Sequence, residues 1–338
     1  MWPLLQRSID RQSSRARTFS KPQTPWLIRA WLALSVGLVD LAAQGPQRTV
    51  PVPLPETAPA GDTVIRAPFG GSEIVVTTTT RLAGAIHSIT WHGQEFIDSA
   101  DHGRQLQSAS SFDNSPDAVP ETFNPTEAGS RRDGAGAHST SRLLAISTAE
   151  NVLRTRTMMA FFIPPGERSA GQLARNTEAL SRHILEKEVR IGVPGWPHVL
   201  DYTVTFHVPD GEPHQTAQFE ALTGYMPAEF SVFHRFVRAT GQLEPLADGP
   251  GEQNEPVVLA TPDGRFAMGI LAAAPAPAGT IGPGYGRFRF VAERVVKWNC
   301  VFRLSGGVPP GPHRFRMYVP LGTLDDVVKS LRALSTGR

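Results

Sequence analysis

The chain has 338 residues, 40% hydrophobic and only 19% charged, with 33 Lys+Arg against 31 Asp+Glu for a formal net charge of +2. Its 31 glycines, 30 prolines and single cysteine exclude a coiled coil, a polytopic membrane protein, a fully disordered chain, an internal disulfide framework and a multi-cysteine metal centre. Such a composition favours many short elements joined by turns.

The N-terminal region differs from the rest. Arg7, Arg11, Arg15, Arg17, Lys21 and Arg29 face Asp10 alone, and an apolar stretch over 30–39 is followed by Leu41-Ala42-Ala43. This pattern predicts an export signal over 1–43, with an uncleaved membrane anchor as the alternative. A Pro-rich linker over 44–61 follows, containing the run VPVPLPETAP, and the folded domain is expected over 62–335. Residues 1–43 hold six basic and two acidic side chains, so without them the net charge is 2 − 4 = −2. The remaining chain is therefore not expected to bind nucleic acid, nor to stay inserted in a membrane once the signal is removed. A secreted or periplasmic location is expected, or a membrane-anchored one if the segment is retained. Oligomeric state is left open.

Strand patterns dominate from residue 62 onward. Residues 72–80 (SEIVVTTTT) are rich in β-branched side chains. Over 84–91 (GAIHSITW) alternation sets Ala85, His87, Ile89 and Trp91 on one face and Ile86, Ser88 and Thr90 on the other. Further strands are predicted at 142–147, 152–163, 184–191, 199–208, 215–222, 256–261, 265–272, 287–292, 296–304 and 314–319. Pro262-Asp263-Gly264-Arg265 reads as a tight hairpin turn. The stretch 98–136 reads as one long loop, and 220–235 as a second loop with Pro227 barring a helix. In a strand, Lys297 and Asn299 share one face while Trp298 and Cys300 share the core face. A helix is predicted over 323–334, capped by Thr323 with Asp325 and Asp326 in its first turn. No repeat of fixed period is present. The expected fold is all-β: a large antiparallel β-sandwich, supersandwich-like, with a C-terminal helix.

Chemistry is expected in the long loop. It carries Asp101, His102, Arg104, Gln105, Gln107, Asp113, Asn124 and Glu127 among aromatic rings, a mixture that suits sugar hydroxyls and the C–H faces of sugar rings. His102 and Glu127 are the candidate acid–base pair, because an imidazole or a buried carboxyl can exchange a proton near neutrality. Asp101, Arg104, Gln105, Gln107, Asn124 and Tyr225 are candidate substrate-binding residues. Asp101, Asp113 and Glu220 are possible second carboxylates for Glu127, since glycoside cleavage normally uses two. An ordinary Asp101–Arg104 pair and a turn at Asn124-Pro125 would explain part of the same pattern without a ligand. No GxSxG elbow, phosphate loop or HExxH helix is present, and Gly282-Pro283-Gly284-Tyr285-Gly286 has no helix after it. His198, His207 and His214 fall on separate strands or turns, so neither a metal nor another cofactor is expected.

The run GAIHSITWHGQEFIDSADHGR, residues 84–104, resembles the opening of galactose-mutarotase-like sugar proteins. That resemblance implies a large β-supersandwich, shared by sugar epimerases and by domains of glycoside hydrolases and polysaccharide lyases. It implies that Arg104 matches the family's sugar-contacting loop Arg and His102 a sugar-contacting histidine. The epimerases' paired histidines and late catalytic Glu find no match here. The longer stretch DHGRQLQ…FNPTEAG is similar to secreted bacterial proteins. Together these readings point to a secreted carbohydrate-active protein that binds an oligo- or polysaccharide in a groove formed by the 101–129 loop, as a glycoside hydrolase or mutarotase-like sugar enzyme. The alternative is a non-catalytic carbohydrate-binding or envelope structural sandwich domain.

Overall fold

A computed structural model describes residues 57–113, 121–273 and 276–336. The expected export segment and most of the linker lie outside the described residues. Among the described residues, no helix is long and apolar enough to cross a membrane.

The strands form two layers, and every pairing is antiparallel. In the first layer, Thr63–Phe69, Ser72–Thr78 and Ile86–Trp91 make a meander. Ile86 meets Leu106 at the edge of the Leu106–Phe112 strand. His214–Pro227, Val295–Val308, Ile281–Phe290 and Gly251–Gln253 then follow in spatial order. The second layer runs Arg142–Ala149, Val152–Phe161, Leu180–Val193, Trp196–Val208 and Gly311–Gly322. It continues through Ala267–Gly269, Val257–Ala260, Val232–Val237 and Gln242–Pro245. The short Pro125–Thr126 strand pairs with both Leu106–Phe112 and Val152–Phe161, stitching the layers together.

Period-two alternation builds the core between the layers. In Trp196–Val208, the buried residues Leu200, Tyr202, Val204, Phe206 and Val208 alternate with half-buried Asp201, Thr203, Thr205 and His207. They pack in one cluster with Phe112, Phe219, Trp298, Cys300 and Phe302 of the facing layer. Each fully buried large apolar side chain adds about 1.5–3 kcal/mol, so a cluster of this size sets the fold. Trp298 and Cys300 sit in the core as their alternation requires. The molecule is thus the all-β antiparallel sandwich that the strand patterns imply.

The helix is Leu324–Thr336. Thr323 Oγ1 accepts from Asp326 N at 3.2 Å, and the Asp326 carboxylate accepts from Thr323 N at 3.1 Å, closing both ends of the cap. Val327 and Leu331 then bury against Phe236, Val258 and Ala267. In the predicted hairpin turn, Gly264 has φ 68° and Asp263 Oδ1 accepts from Arg265 N at 3.1 Å.

Three stretches differ from their patterns. The 98–136 stretch is not one loop: Leu106–Phe112 (LQSASSF) is a strand, buried at all but Ala109. Its small and polar side chains hide it from a hydrophobicity pattern, yet they suit a strand covered on both sides. The His214–Pro227 strand takes the first half of the second predicted loop and ends at Pro227, and Val232–Val237 takes its last four residues. In Ile86–Trp91, Ile86 is buried together with Ile89 and Trp91, because the register with Ser72–Thr78 slips between Thr77 and Thr78.

Candidate functional site

The outer face of the first layer gathers a polar cluster. Cross-strand register sets Gln107, Thr223, Asn299 and Gly286 in one row over four strands. The adjacent row holds Tyr225, Lys297 and Phe288. Opposed residues in a ladder share a face, so these side chains stand together.

Glu220 joins them through a β-bulge. In a regular strand, residues three apart point to opposite faces, which would separate Glu220 from Thr223. The register of His214–Pro227 shifts between Glu220 and Leu222 against one neighbour, and between Glu220 and Thr223 against the other. The extra residue brings Thr223 back to the face of Glu220, and its hydroxyl donates to Glu220 Oε2 at 2.6 Å. Lys297 Nζ lies 3.3 Å from the same oxygen, and Asn299 also hydrogen-bonds this carboxylate. The Glu220 and Lys297 side chains keep 15% and 13% of their surface exposed.

Aromatic rings frame the ammonium. Lys297 Nζ lies 5.2 Å from the ring centroids of both Tyr225 and Phe288, and Phe290 stacks on Tyr225 at 6.5 Å. Two glycines make room on the next strand. A Cβ at Gly284 would meet Glu252 Oε1 at 2.1 Å, and one at Gly286 would meet Asn299 Oδ1 at 2.3 Å. The Gly-Pro-Gly-Tyr-Gly run is therefore a strand whose alternate glycines admit polar neighbours, while Tyr285 between them fills the core.

Glu121 supplies a second carboxyl. It feels the charges of Glu220 and Lys297 and hydrogen-bonds Asn124. Burial, reinforced by the negative charge of Glu220, pushes its pKa up to about 7. Burial would also raise Glu220, but the Lys297 charge and the hydrogen bonds of Thr223 and Asn299 hold it below the usual carboxylate range. Lys297 is held up in turn: burial opposes its charge, and Glu220, Tyr225 and Glu121 outweigh that cost. Near neutrality one carboxyl can carry a proton beside another that stays ionised, the arrangement acid–base chemistry requires. The buried amide oxygens of Gln107 and Asn124 have no hydrogen-bond partner among the described residues, leaving two acceptors unpaired there.

The residues singled out in the sequence fall into two sets. Gln107, Asn124 and Tyr225 belong to this face, as does Glu220. His102 and Glu127 do not join it; both are wholly buried. The His102 ring nitrogens lie 2.7 Å from Gly134 O and 2.8 Å from Arg81 O, so both are occupied by main-chain carbonyls. Glu127 accepts from Ser108 N at 3.1 Å and is ion-paired with Lys187, with neither side chain exposed. Asp101 caps Gly103 N at 2.9 Å and pairs with Arg104, also at 2.9 Å. Gln105 donates to Asp101 O at 2.7 Å. These contacts form a local bracket rather than a ligand-facing set. Sequence reasoning did not single out Glu121; it offered Lys297 and Asn299 as a third candidate patch but favoured an ordinary half-buried strand there. The glycines at 284 and 286, alternating within a strand, were the available signal.

Two surface depressions of about 460 and 330 Å³ lie elsewhere, one beside Trp196 and Pro197, the other over the Arg154–Glu188 pair. Neither includes a residue of the Glu121–Glu220 face.

No family model matches the sequence, and no curated protein does. Among solved structures, the GH36 alpha-galactosidase AgaB from Geobacillus stearothermophilus is 8% identical, over 82% of this chain and 42% of its own, with a TM-score of 0.44. The Slr1438 protein from Synechocystis is 10% identical, over 77% of this chain and 96% of its own, at 0.42. Heparan sulfate lyase HepC from Pedobacter heparinus is 10% identical, over 79% of this chain and 36% of its own, at 0.40. The chain spans less than half the length of the two enzymes.

Proposed function

We propose that this protein binds an oligo- or polysaccharide across the Gln107–Thr223–Asn299 and Tyr225–Lys297–Phe288 rows and cleaves a glycosidic bond there. The observation that carries this reading is the meeting of Glu220 and Lys297 at 3.3 Å beneath the Tyr225 and Phe288 rings, on a largely buried face where these two side chains keep 15% and 13% of their surface exposed. The raised Glu121 and lowered Glu220 carboxyls agree with it. Protonated Glu121 gives its proton to the leaving glycosidic oxygen as the C–O bond breaks. Ionised Glu220 accepts a proton from the attacking water, whose oxygen forms the new bond to the anomeric carbon. Product release and proton exchange with solvent restore both groups. Tyr225, Phe288 and Phe290 offer flat surfaces to sugar C–H faces, and the free amide oxygens of Gln107 and Asn124 accept from hydroxyls. The export signal over 1–43 belongs to the same reading, since it would deliver the domain to extracellular or periplasmic glycans.

A second reading is a non-catalytic carbohydrate-binding domain. It is favoured by the saturation of the Glu220 carboxylate by Thr223, Asn299 and Lys297, as in a purely structural carboxylate. A panel of oligo- and polysaccharides, assayed for turnover and for binding, separates the two. Cleavage that disappears in Glu121→Gln and Glu220→Gln while binding persists supports the enzyme. Binding without turnover selects the second reading. Equal turnover by Glu220→Gln removes that residue from the mechanism, and the absence of both binding and turnover overturns the proposal.

A further inference from the structure

At the end of the His214–Pro227 strand opposite Tyr225, three potential ligands converge. His183 Nε2 lies 2.7 Å from Glu212 Oε1, and His214 Nε2 lies 3.2 Å from the same oxygen. The three ligand atoms all fall within 4.8 Å of one another. His183 comes from Leu180–Val193, where the register slips between Leu180 and Ile184, and Glu212 comes from the turn that leads into His214. Of the three histidines that the sequence places on separate strands or turns, His214 alone reaches this cluster. His198 lies against Phe69 and Trp196, and His207 pairs with Glu186 at 3.3 Å.

The surroundings orient these rings. His214 Nδ1 lies 2.8 Å from Asp113 Oδ2, and Asp113 is fixed by accepting from Gln215 N at 2.6 Å and Thr216 N at 3.2 Å. An ionised carboxylate only accepts, so a neutral His214 with its proton on Nδ1 toward Asp113 would aim its Nε2 lone pair at Glu212. Two lone pairs facing each other would need a metal ion or a second proton between them. A carboxylate behind a histidine is also the usual support of a metal-bound imidazole. Phe112 stacks on His214 at 4.3 Å and leans on His183 at 4.7 Å, and Phe123 covers His214 at 5.2 Å, giving the nitrogens a dry wall. Both imidazoles are nearly buried, while Glu212 keeps 21% of its side chain exposed and opens a route inward.

We propose that His183, Glu212 and His214 bind a divalent transition-metal ion, with zinc the best fit. Two imidazoles and one carboxylate, with a fourth position open, form a set that zinc favours. Tetrahedral zinc at about 2.0–2.1 Å from its ligands sets them about 3.3 Å apart, so small side-chain movements suffice from the present spacing. Arg182, on Glu212 Oε2 at 3.1 Å, has a side chain 63% exposed and can swing into water as the ion enters. The competing occupant of the same place is a second proton on His214.

The test uses the untagged full chain, stripped with chelator and titrated calorimetrically with zinc or cobalt(II) chloride alone. Expected are one ion per chain, the visible absorption of four-coordinate cobalt, and a thermal midpoint raised by a few degrees with excess zinc. His183→Gln and His214→Gln each lose the cobalt spectrum. Asp113→Asn, which touches no ion, keeps the stoichiometry and weakens binding by roughly tenfold. No stoichiometric binding by the wild-type chain overturns the proposal whether or not the variants fold. Equal binding by both histidine variants overturns it as well.

Discussion

Two glutamate–lysine pairs lie in different parts of this sandwich, and their contrast separates support from chemistry. Glu127 and Lys187 meet with both side chains at 0% exposure, beneath Gly84, with Tyr202 in the charge's reach. Glu220 and Lys297 meet with 15% and 13% exposed, beside aromatic rings and a third titratable group, Glu121. The first pair satisfies two charges that the packing has already sealed. The second leaves room for a ligand and divides protons unequally between neighbouring carboxyls. Chemically the two pairs are alike; access and a third charge distinguish them.

The largest effect should come from breaking the sealed pair. Lys187→Met leaves Glu127 buried without its cation and should cost about 3–5 kcal/mol in denaturant unfolding. Pairing it with Glu127→Leu should recover part of that loss. If Lys187→Met unfolds like wild type, the pair is not the buttress that its burial indicates.

Glu220→Gln should behave in the opposite way. Its fold should weaken by only about 1–2 kcal/mol, because Lys297 retains Glu121 and some solvent. Turnover of a responsive glycan should fall by roughly 10²–10⁴. A large loss of stability with turnover intact would make the two pairs equivalent and erase the distinction.

A pH profile sharpens the role of Glu121. Its folded pKa is raised, so the protonated form, and the activity that needs it, is present at low pH and lost as pH rises through about 7. Wild-type turnover should therefore show an alkaline limb near 7, and turnover that stays level through that pH would take Glu121 out of the acid role. The same sign applies to stability: the contribution of the neutral carboxyl is full below its usual 4.5 and is lost between 4.5 and about 7. Unfolding midpoints measured across that window should fall in wild type and stay flatter in Glu121→Gln.

Gly286→Ala should have the smallest effect. Its new Cβ would press on Asn299 Oδ1, which now accepts from Gly286 N at 3.0 Å. Sugar binding should weaken by roughly tenfold, about 1.4 kcal/mol, with little change in the unfolding midpoint. Unchanged affinity would take Asn299 out of the binding face.

Much of the fold was legible because strand alternation, the hairpin turn and the helix cap are local. The alternation over 199–208 and the Thr323 cap need only neighbours in the chain. Leu106–Phe112 was not legible: its Ser-Ala-Ser-Ser centre lacks apolar contrast, and only coverage from both sides makes a strand of it. Lys187 escaped notice for a related reason. It takes an inward position between Leu185 and Val189, where the pattern alone calls for an apolar side chain. The candidate site was only partly legible. Gln107, Asn124 and Tyr225 were picked from a polar, aromatic composition, which says nothing about the face each residue will share.

The sequence by itself determined a mostly antiparallel sandwich, its core face on strands such as 199–208, and its closing helix. Tertiary structure alone decided which charges meet. Glu121, Glu220 and Lys297 are far apart in the chain, and a bulge between Glu220 and Thr223 turns the needed side chains to one face. A bulge is a property of strand pairing, as is the burial that raises Glu121. Both depend on distant strands closing over the same space, which no local pattern records.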